Sequence, residues 1–490
     1  MRNISLHSAV LVAFLLAATP AAASERLVAG PDGVRTVEDP YLPATDLPDP
    51  GPARHSRAPR ADASAKGPSV RRALLDLHRG DEIAREDLSR YKGLYQEARS
   101  VRKRLKGGRR AELHAVIRVV ERVAAQKQLT AGRVPVLFLT LERNTSWWRA
   151  RPFPAGGARI TFGDDPVIFQ YYPGQGLQIQ PLANFGKANG LYNACVGENV
   201  RPGTPCRKRT LETMLDRLVS LAARRGTFTT WEYYFSFGGG SPPWTSGLSQ
   251  GTAVQALARG AQLLGRPDYL TVAADALGAF EKAPPTGVRI PKAGGNHYLI
   301  YSFNRRLLVL NGFLQSVIGL HDYAQISGDP RGQALFEAGE RAAAKSVPAY
   351  DTGAWSLYAR RGRESDLGYH RLVRDFLRGL CTRTQSPVYC ETADRFTRYL
   401  FEDPDIDFLG PRRARPRKRA LIRFRLSKIS RVSIHVSRAG KLAFVRKTQM
   451  GRGKKTFAWV PRKPGRYRIR IEAADLRNHH RVVVRSLRVR

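Results

Sequence analysis

Two stretches of this chain repeat one plan, an apolar helical run, a Gly-x-Pro break and a second helical run. Leu248 to Leu264 is followed by Gly265-Arg-Pro267 and Tyr269 to Phe280; Val309 to Ile326 is followed by Gly328-Asp-Pro330 and Ala334 to Ala344. Glycine ends a helix because it enters the left-handed conformation without steric cost. Proline opens the next because its missing N–H falls where a helix has no internal partner for one. Leu211, Met214, Leu215, Leu218 and Leu221 add an i, i+3, i+4, i+7 face, and Leu367 to Leu380 with Val388 to Leu400 makes a third pair. Helix pairs that cannot bury their faces alone stack on neighbours. The expectation is a multidomain α+β chain with a central, incomplete α/α toroid over residues 209–408, its loops gathered at one mouth.

The flanks have other periods. Met1-Arg2, an apolar run from Ala9 to Ala18 and Pro20-Ala-Ala-Ala23 fit a signal peptide over 1–23. Residues 24–69, rich in Pro, Gly, Ala, Ser and Asp, read as a disordered linker. Residues 70–129 read as two amphipathic N-terminal helices broken at Lys106-Gly-Gly108. A β-rich section is expected over 130–208, with strands at Val134 to Thr140, Arg159 to Gly163 and Val167 to Tyr172. Within it, the polar side chains of Gln175-Gly-Leu-Gln-Ile-Gln-Pro181 suit a sugar, Gln175 among them. Residues 409–419 are a basic linker, and 420–490 alternate apolar residues with arginine in short runs, as in an antiparallel β-sandwich. In pattern this last unit resembles the Ig-like modules appended to exported bacterial proteins.

Charge narrows the partner. Lys+Arg 82 against Asp+Glu 41 leaves a formal +41, a field that attracts polyanions. Export removes nucleic acid from that list and leaves acidic polysaccharides and anionic surfaces, and no segment after the leader is apolar enough over ~20 residues to span a bilayer. The cysteines fall into two local pairs, Cys195 with Cys206 and Cys381 with Cys390, which an oxidising compartment would close as disulfides. A secreted or cell-surface protein is expected; homodimerisation is left open.

The chemistry-bearing residues cluster between Gly295 and His370. Val309-Leu-Asn-Gly-Phe-Leu-Gln-Ser-Val-Ile-Gly-Leu-His-Asp322, Tyr350-Asp-Thr-Gly353, Tyr358 and Tyr369-His370, in this order, resemble the C-terminal domain of the D-glucuronyl C5-epimerases, over about 230 to 402. Trp231 to Phe237 and Trp244-Thr-Ser-Gly-Leu-Ser-Gln250-Gly resemble that family's upstream aromatic and helix-entry segments. The resemblance implies an α/α barrel acting on heparosan or heparan-like polysaccharide, with Tyr301, Tyr358 and Tyr369 as the family's three tyrosines. It makes Arg361 the candidate carboxylate clamp, and His370, Asn311, Trp244 and Gln250 candidate substrate contacts. Two positions depart from the family: Ile300 stands where animal members carry an acidic residue, and Val373 replaces the second histidine of a His-x-x-His.

Inverting a uronate at C5 means removing a proton α to a carboxylate and returning one from the opposite face. The carboxylate needs a cation or hydrogen-bond donors, and two acid/base groups must flank the ring. A tyrosine hydroxyl, with an ordinary pKa of ~10, would need neighbouring arginines to bring it down. Each residue keeps a plainer reading: the tyrosines as packing, Asn311 and Asp351 as loop hydrogen-bonders, Trp244 as core, His297 and His370 as polar loop residues. No metal constellation, phosphate loop or nucleophile elbow is present, so no cofactor is expected. A uronate lyase, which shares the first proton abstraction, and a non-catalytic polyanion-binding protein are the alternatives.

Overall fold

In a computed structural model of the chain, the described residues are 24–43, 67–198, 202–292 and 294–490. The expected signal peptide and the 44–66 part of the expected linker lie outside them. The rest of that linker carries structure. Strands β1 (Ser24–Gly30) and β2 (Gly33–Asp39) form an antiparallel pair. Their alternating valines and leucine were hidden in a Gly- and Pro-rich stretch.

Helices α1 (Val70–Arg79), α2 (Arg85–Arg104) and α3 (Gly107–Ala125) replace the two helices expected, because Gly80 caps α1 and Asp81 follows with φ +58°. Val134 to Thr140, expected as a strand, opens α4 (Val134–Ala150). Pro135 in the first turn is the physical reason: it removes a ladder donor from a strand but costs a first helical turn nothing. The run is apolar on every side because α4 is buried on most of its faces. Strands β3 (Arg159–Phe162), β4 (Asp165–Tyr172) and β5 (Gly176–Ile179) complete one sheet in the order β2-β1-β3-β4-β5, with β1 and β3 parallel. Glu112 of α3 accepts from Tyr171 Oη (2.9 Å), Gly174 N (2.7 Å) and Gly176 N (2.8 Å), pinning the β4–β5 turn.

The central helices pair as the Gly-x-Pro pattern demands. The first pair joins α5 (Pro181–Val196), which was missed from sequence and is opened by Pro181 and capped by the Gln180 side chain, to α6 (Lys208–Ser220), the helix expected from the Leu211 to Leu221 face. Two short strands, β6 (Ala223–Arg225) and β7 (Phe228–Thr230), lead to α7 (Gly247–Leu264) and α8 (Asp268–Ala276), joined through Gly265 at φ +68°. A single turn, α9 (Gly278–Glu281), and the hairpin β8 (Arg289–Lys292), β9 (Gly295–Tyr298) precede α10 (Leu310–Ser327) and α11 (Pro330–Ser346). Gly328 at φ +68° and the Asp329 cap separate that pair. Then α12 (Leu367–Thr384) and α13 (Pro387–Tyr399) follow. The first helix of each pair packs on the first helix of the next, α5 on α7, α7 on α10 and α10 on α12, so they form one row, most deeply buried at α7 and α10, with α6, α8, α11 and α13 as their second helices. Both expected disulfides clamp hairpin turns, Cys195–Cys206 between α5 and α6 and Cys381–Cys390 between α12 and α13.

The row is tightest where α7 crosses α10. A Cβ on Gly319 would lie 2.1 Å from the Gly251 carbonyl oxygen, and one on Gly251 would lie 2.7 Å from Ser316 Cα. Backbone, not a flexible side chain, blocks both. Gly319→Ala is therefore expected to cost about 1–3 kcal/mol of stability, read as a lowered midpoint in denaturant unfolding; an unchanged midpoint would mean the crossing can open freely.

At the C-terminus, β10 (Ile406–Phe408), β11 (Arg413–Ala414), β12 (Ala420–Leu426), β13 (Ser430–Arg438), β14 (Lys441–Met450), β15 (Gly453–Trp459), β16 (Gly465–Asp475) and β17 (His480–Val489) build two sheets. Their orders are β10-β12-β15 and β11-β17-β16-β13-β14. They share one core, including Phe424, Ile434, Ile471 and Trp459. The expected basic linker is stitched into the second sheet through β11, which pairs parallel with β17. Lys428, only 1% exposed, anchors this unit to the helices by donating to the Tyr399 carbonyl (2.9 Å) while paired with Asp475 (3.1 Å). Among the described residues no helix is long and apolar enough to cross a membrane.

Candidate active site

Two loops and the starts of α10 and α12 bring the tyrosines together. Tyr301 follows β9, Tyr358 lies on the hairpin between η-turned Val347–Tyr350 and α12, and Tyr369 sits in the first turn of α12, where Asp366 caps the helix by accepting from Tyr369 N. The Leu310 amide reaches the Tyr358 carbonyl (3.4 Å), which fixes the hairpin to α10. Tyr369 Oη accepts from Asn311 N–H, and its proton is shared between Asn311 Oδ1 and the Tyr358 carbonyl, each contact 3.1 Å. Tyr369 is thus a fully engaged, buried support, with its ring 4.7 Å from that of Tyr358.

Tyr301 and Tyr358 are half-buried and coupled to each other, the Tyr301 hydroxyl stabilising charge on Tyr358. The rings around Tyr301 are apolar: Phe303 stacks at 5.4 Å, and Trp244 and Phe237 meet it edge-on at 5.6 and 5.3 Å. Burial holds the Tyr301 and Tyr369 hydroxyls well above the ordinary tyrosine range. Tyr358 is also raised by burial, but the Tyr301 hydroxyl and Arg363 pull it back. The expectation that arginines would bring these hydroxyls down is therefore corrected: desolvation wins at all three. The Arg363 guanidinium lies 5.7 Å from the Tyr358 ring centroid.

Arg361, the residue picked from sequence as the clamp, is exposed at the tip of the hairpin, with φ +60°. Arg363, not singled out from sequence, is the arginine that the return of this turn sets beside Tyr358, whose N bonds the Arg363 carbonyl (3.0 Å). Other choices are also relocated. His370 is buried, stacked on Trp355 at 3.8 Å, with Nδ1 against Ser356 (2.8 Å) and Nε2 donating to the Phe396 carbonyl (2.9 Å), and burial lowers it to about 4. No ring nitrogen is left for substrate. Gln250 is fully buried, accepting from Thr230 Oγ1 and Trp231 N and donating to the Thr229 and Ala276 carbonyls. Asp351 holds its own loop through Gly353 N (2.9 Å), Tyr399 Oη (3.1 Å) and Arg395 (2.8 Å). His297 is buried against Phe313 at 4.1 Å and lowered to about 3 by desolvation.

A narrow cleft opens beside Tyr301, walled by Tyr172, Gln180, Tyr233, Trp244 and Ile300. Gln180 bridges it, donating to Tyr172 Oη (2.8 Å) and accepting from Tyr233 Oη (3.0 Å). Gln175 lies instead in the β4–β5 turn and does not line it. Trp244 is wall, not platform, since Tyr233 covers its face at 4.1 Å. With a cavity volume of about 30 Å³, the cleft holds water but no pyranose ring. Among the described residues no three His, Cys, Asp or Glu side chains converge to hold a metal.

Residues 225–398 match the family model described as D-glucuronyl C5-epimerase C-terminus. The D-glucuronyl C5-epimerase of Caenorhabditis elegans is 31% identical over 180 residues, 33% of this chain and 29% of that protein. An uncharacterized protein of Methanocaldococcus jannaschii is 28% identical over 170 residues, 33% of this chain and 55% of its own length. The chain therefore spans between about a third and about half of these relatives. The crystal structure of an unsaturated glucuronyl hydrolase specific for heparin overlaps 45% of this chain and 60% of its own at a TM-score of 0.33 and 12% identity, too slight an overlap to define the fold. All three tyrosines, Asn311 and Arg363 fall inside residues 225–398, the segment similar to the C-terminal domain of the D-glucuronyl C5-epimerases.

Proposed function

We propose that this chain is an exported carbohydrate epimerase that inverts C5 of D-glucuronate, to L-iduronate, in an acidic heparosan- or heparan-like polysaccharide. The observation that carries the reading is Tyr358 beside Arg363, held from behind by Tyr369 and Asn311, with Tyr301 in the same family segment. In this reading the four helix pairs are an arc of an incomplete α/α toroid, and the tyrosines lie at its mouth. A uronate ring enters between Tyr301 and Tyr358 and replaces their mutual contact. Tyr358, whose anion Arg363 stabilises and which the Tyr301 hydroxyl also supports until the ring enters, removes the C5 proton. Tyr301, kept protonated by its apolar surroundings, returns one from the other face. Arg363, with Arg361 at the hairpin tip, faces the carboxylate whose charge grows as the C5–H bond breaks. The leader-like N-terminus and the two disulfides support export.

Incubation with heparosan in heavy water should place deuterium at C5. A falling chain length with new unsaturated ends would instead identify a lyase. Ile300, buried at 2% where the animal family members carry an acid, and the small cleft favour a second reading, a polyanion-binding protein without turnover. Binding with no label on any uronate polymer would select it.

A further inference from the structure

The hairpin that carries Tyr358 and Arg363 ends at a joint with the C-terminal sheets. Glu364, bridged to Leu357 across the hairpin, is 7% exposed; its Oε1 accepts from Ile429 N (2.9 Å) and its Oε2 from Arg452 N (2.6 Å). Those amides belong to the β12–β13 and β14–β15 turns, so the sheets are fixed against the active-site hairpin and are not tethered at a distance. The contact sets two groups of cations side by side. Arg360, Arg361 and Arg363 are exposed on the hairpin; Arg452 is exposed and Lys455 half-buried on the β14–β15 side, near enough for both to act on the Glu364 charge. Glu364 is occupied by backbone amides, and among the described residues none of these five cations forms an ion pair. Unpaired cations of one sign gathered along a seam make a surface that a polyanion complements and that no internal partner neutralises.

We propose that Arg452 and Lys455, which continue this seam away from the hairpin arginines of the active site, form a second glycan-binding surface, which holds the anionic residues flanking the one at Tyr301 and Tyr358. The identity of the polymer rests on the epimerase reading; the surface itself does not. The polymer would then lie across both units, and the C-terminal sheets would be part of the substrate track.

The test uses the full chain, long-chain heparosan and a trisaccharide cut from it, with binding and C5 exchange measured at several salt concentrations. R452A/K455A is expected to weaken polymer binding about fivefold, the scale of two exposed ion pairs. It should flatten the salt dependence while moving trisaccharide binding less than twofold. R462A/K463A removes two exposed cations beyond the far end of β15 and should leave polymer binding within twofold, and matching unfolding midpoints would show that both variants are folded. Unchanged polymer binding in R452A/K455A, or equal losses in both variants, overturns the seam. If the wild type binds polymer without C5 exchange, the epimerase reading fails, and the same binding comparison still decides the seam.

Discussion

Tyr358→Phe is expected to lower C5 exchange by about 10²–10⁴-fold, with polymer binding changed little. The reasoning is local. Of the three tyrosines, Tyr358 is the one whose phenolate would receive both a hydroxyl, from Tyr301, and a guanidinium, from Arg363. Tyr301→Phe removes the proton donor of the pair and should fall in the same range. Tyr369→Phe should behave differently: its hydroxyl is spent on Asn311 and the Tyr358 carbonyl, so its loss costs about 1–3 kcal/mol of stability and perturbs exchange only through the position of Tyr358. The pH profile gives a second check. Burial leaves Tyr358 above its ordinary value, so through neutral pH the phenolate is the minor form and the rate should climb about tenfold per unit. Arg363→Gln removes a charge that pulls Tyr358 down and should move that ascending limb to higher pH. Full activity in Tyr358→Phe, or a rate flat through neutral pH, would remove Tyr358 as the base.

The helical half of this architecture was legible because its punctuation is local. Gly265, Pro267, Gly328 and Pro330 act through their own backbone preferences, and the structure puts helix ends at each. Where tertiary burial sets the outcome, sequence misleads. Val134 to Thr140 is apolar on every side and has β-branched residues, a pattern shared by a buried strand and a buried helix; only Pro135 distinguishes them. The site shows the same division. Tyr301, Tyr358, Tyr369 and Asn311 converge, because a family motif preserves their order and the α10 start fixes their register. Arg361 and Arg363 differ by one turn of a hairpin, and which of them meets Tyr358 is decided by the αL residue at the tip, which spacing does not reveal. Gln175 and Gln180 likewise lie on either side of β5, and only the one that caps α5 reaches the cleft.

Asp322→Asn is expected to cost about 3–5 kcal/mol of stability. Asp322 closes the motif that begins at Val309, yet the structure places it away from the tyrosines, as a bolt through the row. Its Oδ1 accepts from Arg383 Nε (2.6 Å), and its Oδ2 from Arg383 (2.9 Å), Arg259 (2.8 Å) and Gln255 (2.8 Å). Arg259 also reaches Asn189 (3.1 Å), so α5, α7, α10 and α12 meet through one carboxylate that is 10% exposed. An asparagine keeps the shape but leaves two guanidiniums facing each other across a neutral group. If the loss comes from those stranded charges, Asp322→Leu combined with Arg383→Met should cost less than the sum of the two changes; simple additivity would mean the bridge is incidental. The acid limb follows the same carboxylate. Arg383, His321 and Arg259 hold Asp322 far below its ordinary 3.8, so its contribution is complete above that value and is lost as pH falls below it. Wild-type stability should therefore decline below about pH 4 more steeply than that of Asp322→Asn, and equal slopes for the two proteins would place the acid sensitivity elsewhere.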